Sequence, residues 1–365
     1  MKVKQLTVSA YRIPTDQPEE DGTHHWEGTT LVLAEVEAES GERGLGFTYA
    51  AREAGPLIQR RLANVVNGSN LDQIGMVWER MIAEVRNLGR PGIAATAISA
   101  VDVALWDLRA RVAGKALFRH LGAYREQVPI YGSGGFTTYS EERLREQLGG
   151  WVAQGIPRVK MKIGKAWGTL PREDLRRIRI ARDAIGPDAE LFVDANGAYS
   201  AKQAIRMGRR FADLGVTYFE EPVSSDQLQQ LALVRQHIPP SVAAGEYGYD
   251  PWYFRAMLQA GAVDILQADV TRCLGITGWL QAAALAYGFD IPFSGHTAPS
   301  IHAHVGCAAP QLEHVEYFYD HARIEQMLFD AVPQPQGGFL RPDPSRAGLG
   351  LDFKHQDAEQ WRINL

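Results

Sequence analysis

ELFVDAN (190–196), TYFEEP (217–222), SVAAGE (241–246), DILQAD (264–269) and DIPFSGH (290–296) are five short strand-like runs, each reaching a carboxylate or a histidine at its end. They place Asp194, Glu220, Glu246, Asp269 and His296 at intervals of 26, 26, 23 and 27 residues. One strand, one helix and two loops fill about that length in a parallel barrel. Such a barrel gathers strand-end residues at one mouth, where barrel enzymes carry their chemistry.

Three more runs, VPIYGSG (128–134), RVKMKIG (158–164) and EHVEYF (313–318), bring the strand candidates to eight. Helical runs lie between them, among them EERLREQLGGWVAQ (141–154), AKQAIRMGRRFADLG (201–215) and ITGWLQAAALAYG (276–288). The alternation predicts an α/β chain with a TIM-like barrel over residues 126–332. Residues 1–125 have a different texture. KVKQLTVSAYRI (2–13), TTLVLAEVEAES (29–40) and GERGLGFTYA (41–50) read as antiparallel strands, with the polar segment Asp16–Gly28 as a loop. Helical runs follow, the last being one helix, AATAISAVDVALWDLRARVAGKALFRHLG (94–122), stopping at Gly122. Strands followed by helices predict an α+β capping domain. The Pro- and Gly-rich tail, residues 333–365, is expected to pack back on it.

The bulk properties exclude several function classes. The chain has 365 residues, 45% hydrophobic and 22% charged, with a formal charge of −5, which leaves no electrostatic footprint for nucleic acid. There is no basic amphipathic run suited to a membrane surface and no apolar run long enough to span one. Two cysteines, Cys273 and Cys307, are too few for a disulfide scaffold and suit a reducing compartment. MKVKQLTVSAYRIP alternates like a strand and is not a signal peptide. A cytoplasmic protein is expected, and the Asn67-Gly68-Ser69 sequon then carries no meaning.

Asp194, Glu220 and Glu246 would end three neighbouring strands. Adjacent carboxylates repel one another, so a compensating charge is required. A hard divalent cation with oxygen ligands supplies it, and Mg2+ suits the set better than zinc, which lacks a Cys/His ligand group here. Helix capping or arginine pairing would explain one such carboxylate, but not three in register. Asn196 and Glu221 stand beside them as substrate-facing groups.

Lys160 and Lys162 share one face of a strand, with Met161 on the other. Two close lysines depress each other's pKa, which favours one as a base. Asp269 and His296 end adjacent strands, so the carboxylate can hold one imidazole nitrogen and leave the other for acid/base work. Glu316 ends the eighth strand and is expected to donate to substrate oxygens if kept protonated. His302 and His304 lie in a helix, where they point apart, and structural roles are expected for both. Gly132–Gly135 lacks the spacing of a dinucleotide loop, and no GxSxG nucleophile motif occurs.

Together these residues resemble the enolase superfamily, and within it the mandelate racemase subgroup, over nearly the whole chain. Lys160 and Lys162 match its KxK motif; Asp194, Glu220 and Glu246 match its magnesium ligands; Asp269 and His296 match its Asp–His dyad; and Glu316 matches its eighth-strand carboxylate. The muconate-lactonising branch presents a lysine where Asp269 stands, and the nearby Arg272 makes a poor base. The resemblance implies a (β/α)7β barrel, removal of the proton α to a substrate carboxylate, and an enediolate intermediate. It also implies a homo-oligomer, and loops of the first domain that select the substrate. In the Asp16–Gly28 segment the residues expected to touch substrate are His24, His25 and Trp26. Its polarity favours a sugar acid, and with it a dehydratase giving a 2-keto-3-deoxy acid. A racemase or epimerase, an aldarolactone cycloisomerase and a catalytically silent binding protein on the same scaffold are the alternatives.

Overall fold

A computed structural model describes residues 1–365. Its first layer is an antiparallel sheet of β1 (Val3–Glu20), β2 (His25–Ala38) and β3 (Arg43–Tyr49). Side chains alternate across a strand, and both faces of this sheet are used. Leu31 and Leu33 of β2 join the core shared with the barrel, while Val32, Ala34 and Val36 join the core beneath the capping helices. The 20-residue helix Ile93–Val112 lies directly on β3. Gly46 permits this approach, because a Cβ there would stand 2.3 Å from the Ala100 carbonyl oxygen.

The capping domain departs from expectation twice. The run 94–122 is two helices, Ile93–Val112 and Leu117–His120. Between them Gly114 takes a φ of +62°, a conformation glycine reaches without steric cost. The segment Asp16–Gly28 is mostly paired strand. Glu19 faces Trp26 and Glu20 faces His25, beyond a register shift that begins at Pro14. Only Asp21–His24 forms the tip of this hairpin. Its polar residues read as loop because the apolar surface that covers them belongs to the barrel: Trp26 packs edge-on against Phe136, and Thr137 N–H donates to the Glu20 carbonyl.

The barrel strands are β4 (Val128–Gly134), β5 (Arg158–Lys162), β6 (Glu190–Asp194), β7 (Val216–Glu220), β8 (Ser241–Ala244), β9 (Ile265–Ala268), β10 (Phe293–Gly295) and β11 (Leu312–Phe318). They pair in chain order, all parallel, and β11 closes on β4 through Val315 opposite Ile130. Helices run between consecutive strands. After β11 the helix Tyr319–Leu328 meets the capping sheet instead, with Thr29 Oγ1 donating to Asp320 Oδ2 at 2.5 Å and Arg323 donating to the Pro14 carbonyl.

The tail divides its contacts. Phe339–Leu340 pairs antiparallel with Pro129 and Val128 at the base of β4, so this part stays with the barrel. Further on, Leu117 N–H donates to the Gly348 carbonyl and Leu349 N–H to Asp107 Oδ1, and near the chain end Arg362–Ile363 pairs with β1, so this part lies on the capping domain. No helix is long and apolar enough to cross a membrane.

Candidate active site

Register sets the level of the functional side chains. Lys162 on β5 stands opposite Asp194 on β6, and Asp194 opposite Glu220 on β7. The chain then turns sharply at several strand ends. Asn196, Glu221, Thr297 and Ala298 all have positive φ (45°, 38°, 53° and 38°). Such strain in residues other than glycine concentrates at functional sites.

Lys160 and Lys162 share a face, as their spacing requires, but at different depths. Lys160 is sealed in the barrel, its Nζ 2.6 Å from Glu220 Oε2, 2.8 Å from Glu316 Oε1 and 3.6 Å from Asp194 Oδ2. Lys162 pairs with Asp194 and lines a cavity of about 380 Å³ at the barrel mouth. The expected mutual depression of the two lysines is not what the structure gives. Burial opposes the charge on Lys162 and Lys160 adds to that opposition, but Asp194, Glu246 and Glu220 together prevail, so its pKa is raised; burial opposes the charge on Lys160 too, and Glu220, Glu316 and Asp194 together raise it.

Asp269 and His296 form the expected pair, Nδ1 to Oδ2 at 2.9 Å. Thr271 donates to Asp269 from both its N–H and its hydroxyl, at 2.7 Å each, and fixes the carboxylate. The other nitrogen, Nε2, faces Glu246 Oε2 at 3.0 Å and Glu316 Oε2 at 3.5 Å. Burial lowers the imidazole's pKa, but Glu246, Glu316 and the Asp269 hydrogen bond prevail and push it up to about 10. Glu316 behaves oppositely to expectation. Burial favours its neutral form, yet Lys160 and His296 hold its pKa at about 2, so it accepts rather than donates. Ser133 Oγ donates to it at 2.6 Å and Thr297 N–H at 3.1 Å.

The carboxylates divide unevenly. Glu220, Glu246 and His296 each bring a ligand atom within 4.8 Å of the others. Asp194 stands outside this group, because one of its oxygens turns to Lys162 and the other accepts from Asn196 N–H at 2.9 Å. Glu220 Oε1, in contrast, is buried without any hydrogen-bond partner. A buried carboxylate oxygen left in this state is what a hard cation satisfies. Burial, with Asp194 and Glu316 nearby, pushes Glu220 up to about 8 against the pull of Lys160, so added positive charge at this spot is favourable.

The hairpin roofs the cavity. His24 and Trp26 line it and stack on each other, ring centroids 5.9 Å apart. His25 does not line it. It points to the opposite face, toward Glu27, because successive strand residues alternate sides. Asn196 lines the cavity, and Glu221 sits just outside it, buried. His302 and His304 play structural roles: His302 Nε2 accepts from Val270 N–H, and His304 Nδ1 accepts from Phe118 N–H. Several lining residues escaped the sequence reading, Tyr49, His321 and Tyr247 among them. Tyr49 and His321 stack face to face at 3.4 Å and join the capping sheet to the helix after β11. Tyr247 forms a side wall. The position of Tyr49 at the end of β3 and of Tyr247 beside Glu246 were usable signals; His321 had none.

A family model described as enolase C-terminal domain-like matches residues 143–358. A second, for the N-terminal domain of mandelate racemase and muconate lactonizing enzyme, matches residues 5–122. A mandelate racemase/muconate lactonizing enzyme-like protein from Rubrobacter xylanophilus superimposes with a TM-score of 0.96 at 50% identity, covering 100% of both chains. D-galactarolactone cycloisomerase from Agrobacterium fabrum is 33% identical over 290 residues, 78% of this chain and 76% of its own. L-Talarate dehydratase from Polaromonas sp. JS666, complexed with Mg and L-glucarate, superimposes with a TM-score of 0.89 at 28% identity, covering 100% of this chain and 98% of its own.

Proposed function

This chain belongs to the mandelate racemase/muconate lactonizing enzyme family of the enolase superfamily, and from that membership we propose that it is a magnesium-dependent sugar acid dehydratase. The observation that carries the reading is one cavity bounded by Lys162, His296, Glu246 and Glu316, with the unpartnered Glu220 oxygen beside it.

Asp194, Glu220 and Glu246 would hold the ion, since magnesium prefers oxygen donors and His296 is already committed to Asp269. Bound there, it would supply positive charge for the substrate carboxylate and compete for the Asp194 oxygen that Lys162 holds. With Asp194 drawn away from it, Lys162 would give up its extra proton to solvent and, neutral, take the proton from the carbon α to that carboxylate, leaving an enediolate. His296, charged and oriented by Asp269, gives its Nε2 proton to the hydroxyl on the next carbon. That C–O bond breaks, water leaves, and the resulting enol tautomerises to a 2-keto-3-deoxy acid. Glu316 and Lys160 keep the charge of the two acid/base groups balanced, and Glu316 accepts from substrate hydroxyls. Residues 126–332 carry this chemistry, while residues 1–125 select the substrate through His24 and Trp26, with Asn196 facing them from the barrel. A cytoplasmic homo-oligomer is the form in which we expect it to act.

Incubation with magnesium and a library of aldonates and aldarates should yield a 2-keto-3-deoxy product, detected as its semicarbazone. Silence over the whole library would sink the reading. The cycloisomerase relative supports a second outcome from the same first step, in which an intramolecular oxygen leaves and no water is lost. A product of unchanged mass from an aldarolactone would identify it.

A further inference from the structure

A second cavity, of about 590 Å³, lies beside the first, and Asn196 and Tyr247 line both. Its aromatic surface comes from Trp167, Tyr249 and Tyr253 with Tyr247, and its acidic groups are Glu221, Asp226 and Asp250. No lysine or arginine lines it. The neighbouring Arg90 is committed elsewhere: it donates to Asp250 at 2.9 and 2.7 Å, and its guanidinium lies over the Trp252 ring. Two buried oxygens, Glu221 Oε1 and Asn196 Oδ1, belong to lining residues and accept no hydrogen bond.

This chemistry is selective. Unpaired acceptors want O–H donors, which a sugar hydroxyl supplies and a carboxylate does not. A carboxylate leaving water needs a cationic partner; none lines this cavity, Arg90 being spent on Asp250, and the exposed Asp226 adds a negative charge against it. Aromatic faces with scattered hydrogen-bonding groups suit a neutral polyhydroxylated ligand.

We propose that the second cavity receives the uncharged, hydroxyl-bearing end of the substrate, so that the enzyme prefers monocarboxylic to dicarboxylic sugar acids. The inference rests on the α-proton abstraction reading above. The carboxylate end stays at Lys162 and the tail passes between Asn196 and Tyr247.

The test uses the full chain with magnesium and three probes: gluconate, galactarate and lactobionate, the last carrying a neutral sugar on its tail. Turnover of a probe, or exchange of its α-proton in D₂O followed by NMR, reports the shared first step; neither turnover nor exchange on these probes or on any member of the aldonate and aldarate library sinks the function reading and this inference with it. With exchange intact, kcat/KM should favour gluconate or lactobionate over galactarate by about tenfold or more. Ser224 is exposed on the cavity wall, and Ser224→Trp should raise KM for lactobionate about tenfold with kcat within about twofold. Asp226→Arg supplies the missing cation and should raise kcat/KM for galactarate about fivefold. Galactarate used as well as the mono-acids, or both variants folded and kinetically unchanged, would overturn the inference while leaving the dehydratase reading standing.

Discussion

The barrel rim and the capping hairpin face the same cavity, but they hold their side chains in different ways. On the rim each functional group sits on or next to a strand end and is braced by a group of opposite character: Lys162 by Asp194, His296 by Asp269, Glu316 by Lys160. On the hairpin the tip braces itself, with Asp21 Oδ1 accepting from the N–H groups of Thr23 and His24 at 2.6 and 2.8 Å. The rim therefore has the rigidity and charge that proton transfer needs, and the hairpin, tied to the barrel through Thr137 N–H to the Glu20 carbonyl and Trp167 N–H to the Gly22 carbonyl, carries none of those braced pairs. On the proposed function, the proton transfers fall to the first region, and the second contributes contacts to the substrate.

Substitutions on the two sides should differ in size and in kind. Lys162→Ala should cut kcat by about 10²–10⁴-fold, the contribution of a positioned general base, with little change in KM. A similar loss from a hairpin substitution would break the division. Asp269→Asn removes the group that orients His296 and should lower kcat by about 10²-fold or more, measured as product formation at saturating substrate. Glu220→Gln should weaken magnesium binding by at least about 10–100-fold in calorimetric titration, and chelation should abolish activity until magnesium is restored.

On the hairpin, His24→Ala should raise KM by about 2–10-fold, the worth of one hydrogen bond, while His25→Ala should leave the kinetics unchanged because its side chain faces away from the cavity. Equal effects at both positions would show that the strand parity is wrong.

The smallest effect is on stability. Glu19 lies buried under the hairpin, with Trp26 Nε1 donating to its Oε2 at 2.8 Å. Burial, and then the charge of Asp320, push its pKa up from 4.5 to about 9. Below 4.5 the folded and unfolded chains both carry this proton; between 4.5 and about 9 only the unfolded chain loses it. Stability at this site is therefore lost as pH rises through that window. Glu19→Gln should flatten the fall of Tm from pH 5 to pH 9 by about 2 °C in a thermal scan. Parallel curves for the two proteins would refute it.

The barrel was legible because a parallel barrel imposes a near-constant repeat, so five strand ends announce themselves by spacing alone. The Asp269–His296 pair followed from adjacency, since β9 and β10 are neighbours in chain order and in space. The hairpin was not legible. Its pairing runs through a register shift at Pro14, and the apolar partner of Trp26 is Phe136, more than a hundred residues away. The single-helix reading of 94–122 failed for a local reason, because the break at Gly114 lies between two runs of equally good helix formers.

By itself, the sequence determined the barrel and its order of strand-end groups, because these depend on periodicity along the chain. Only the tertiary structure decided the charge each group carries and which hairpin side chains meet the cavity. Lys162 is held charged by Asp194, Glu316 is held ionised by Lys160, and Asp194 is drawn out of the Glu220–Glu246–His296 cluster. Protonation depends on burial and on charges a few ångströms away through space, and a linear chain carries no direct record of either.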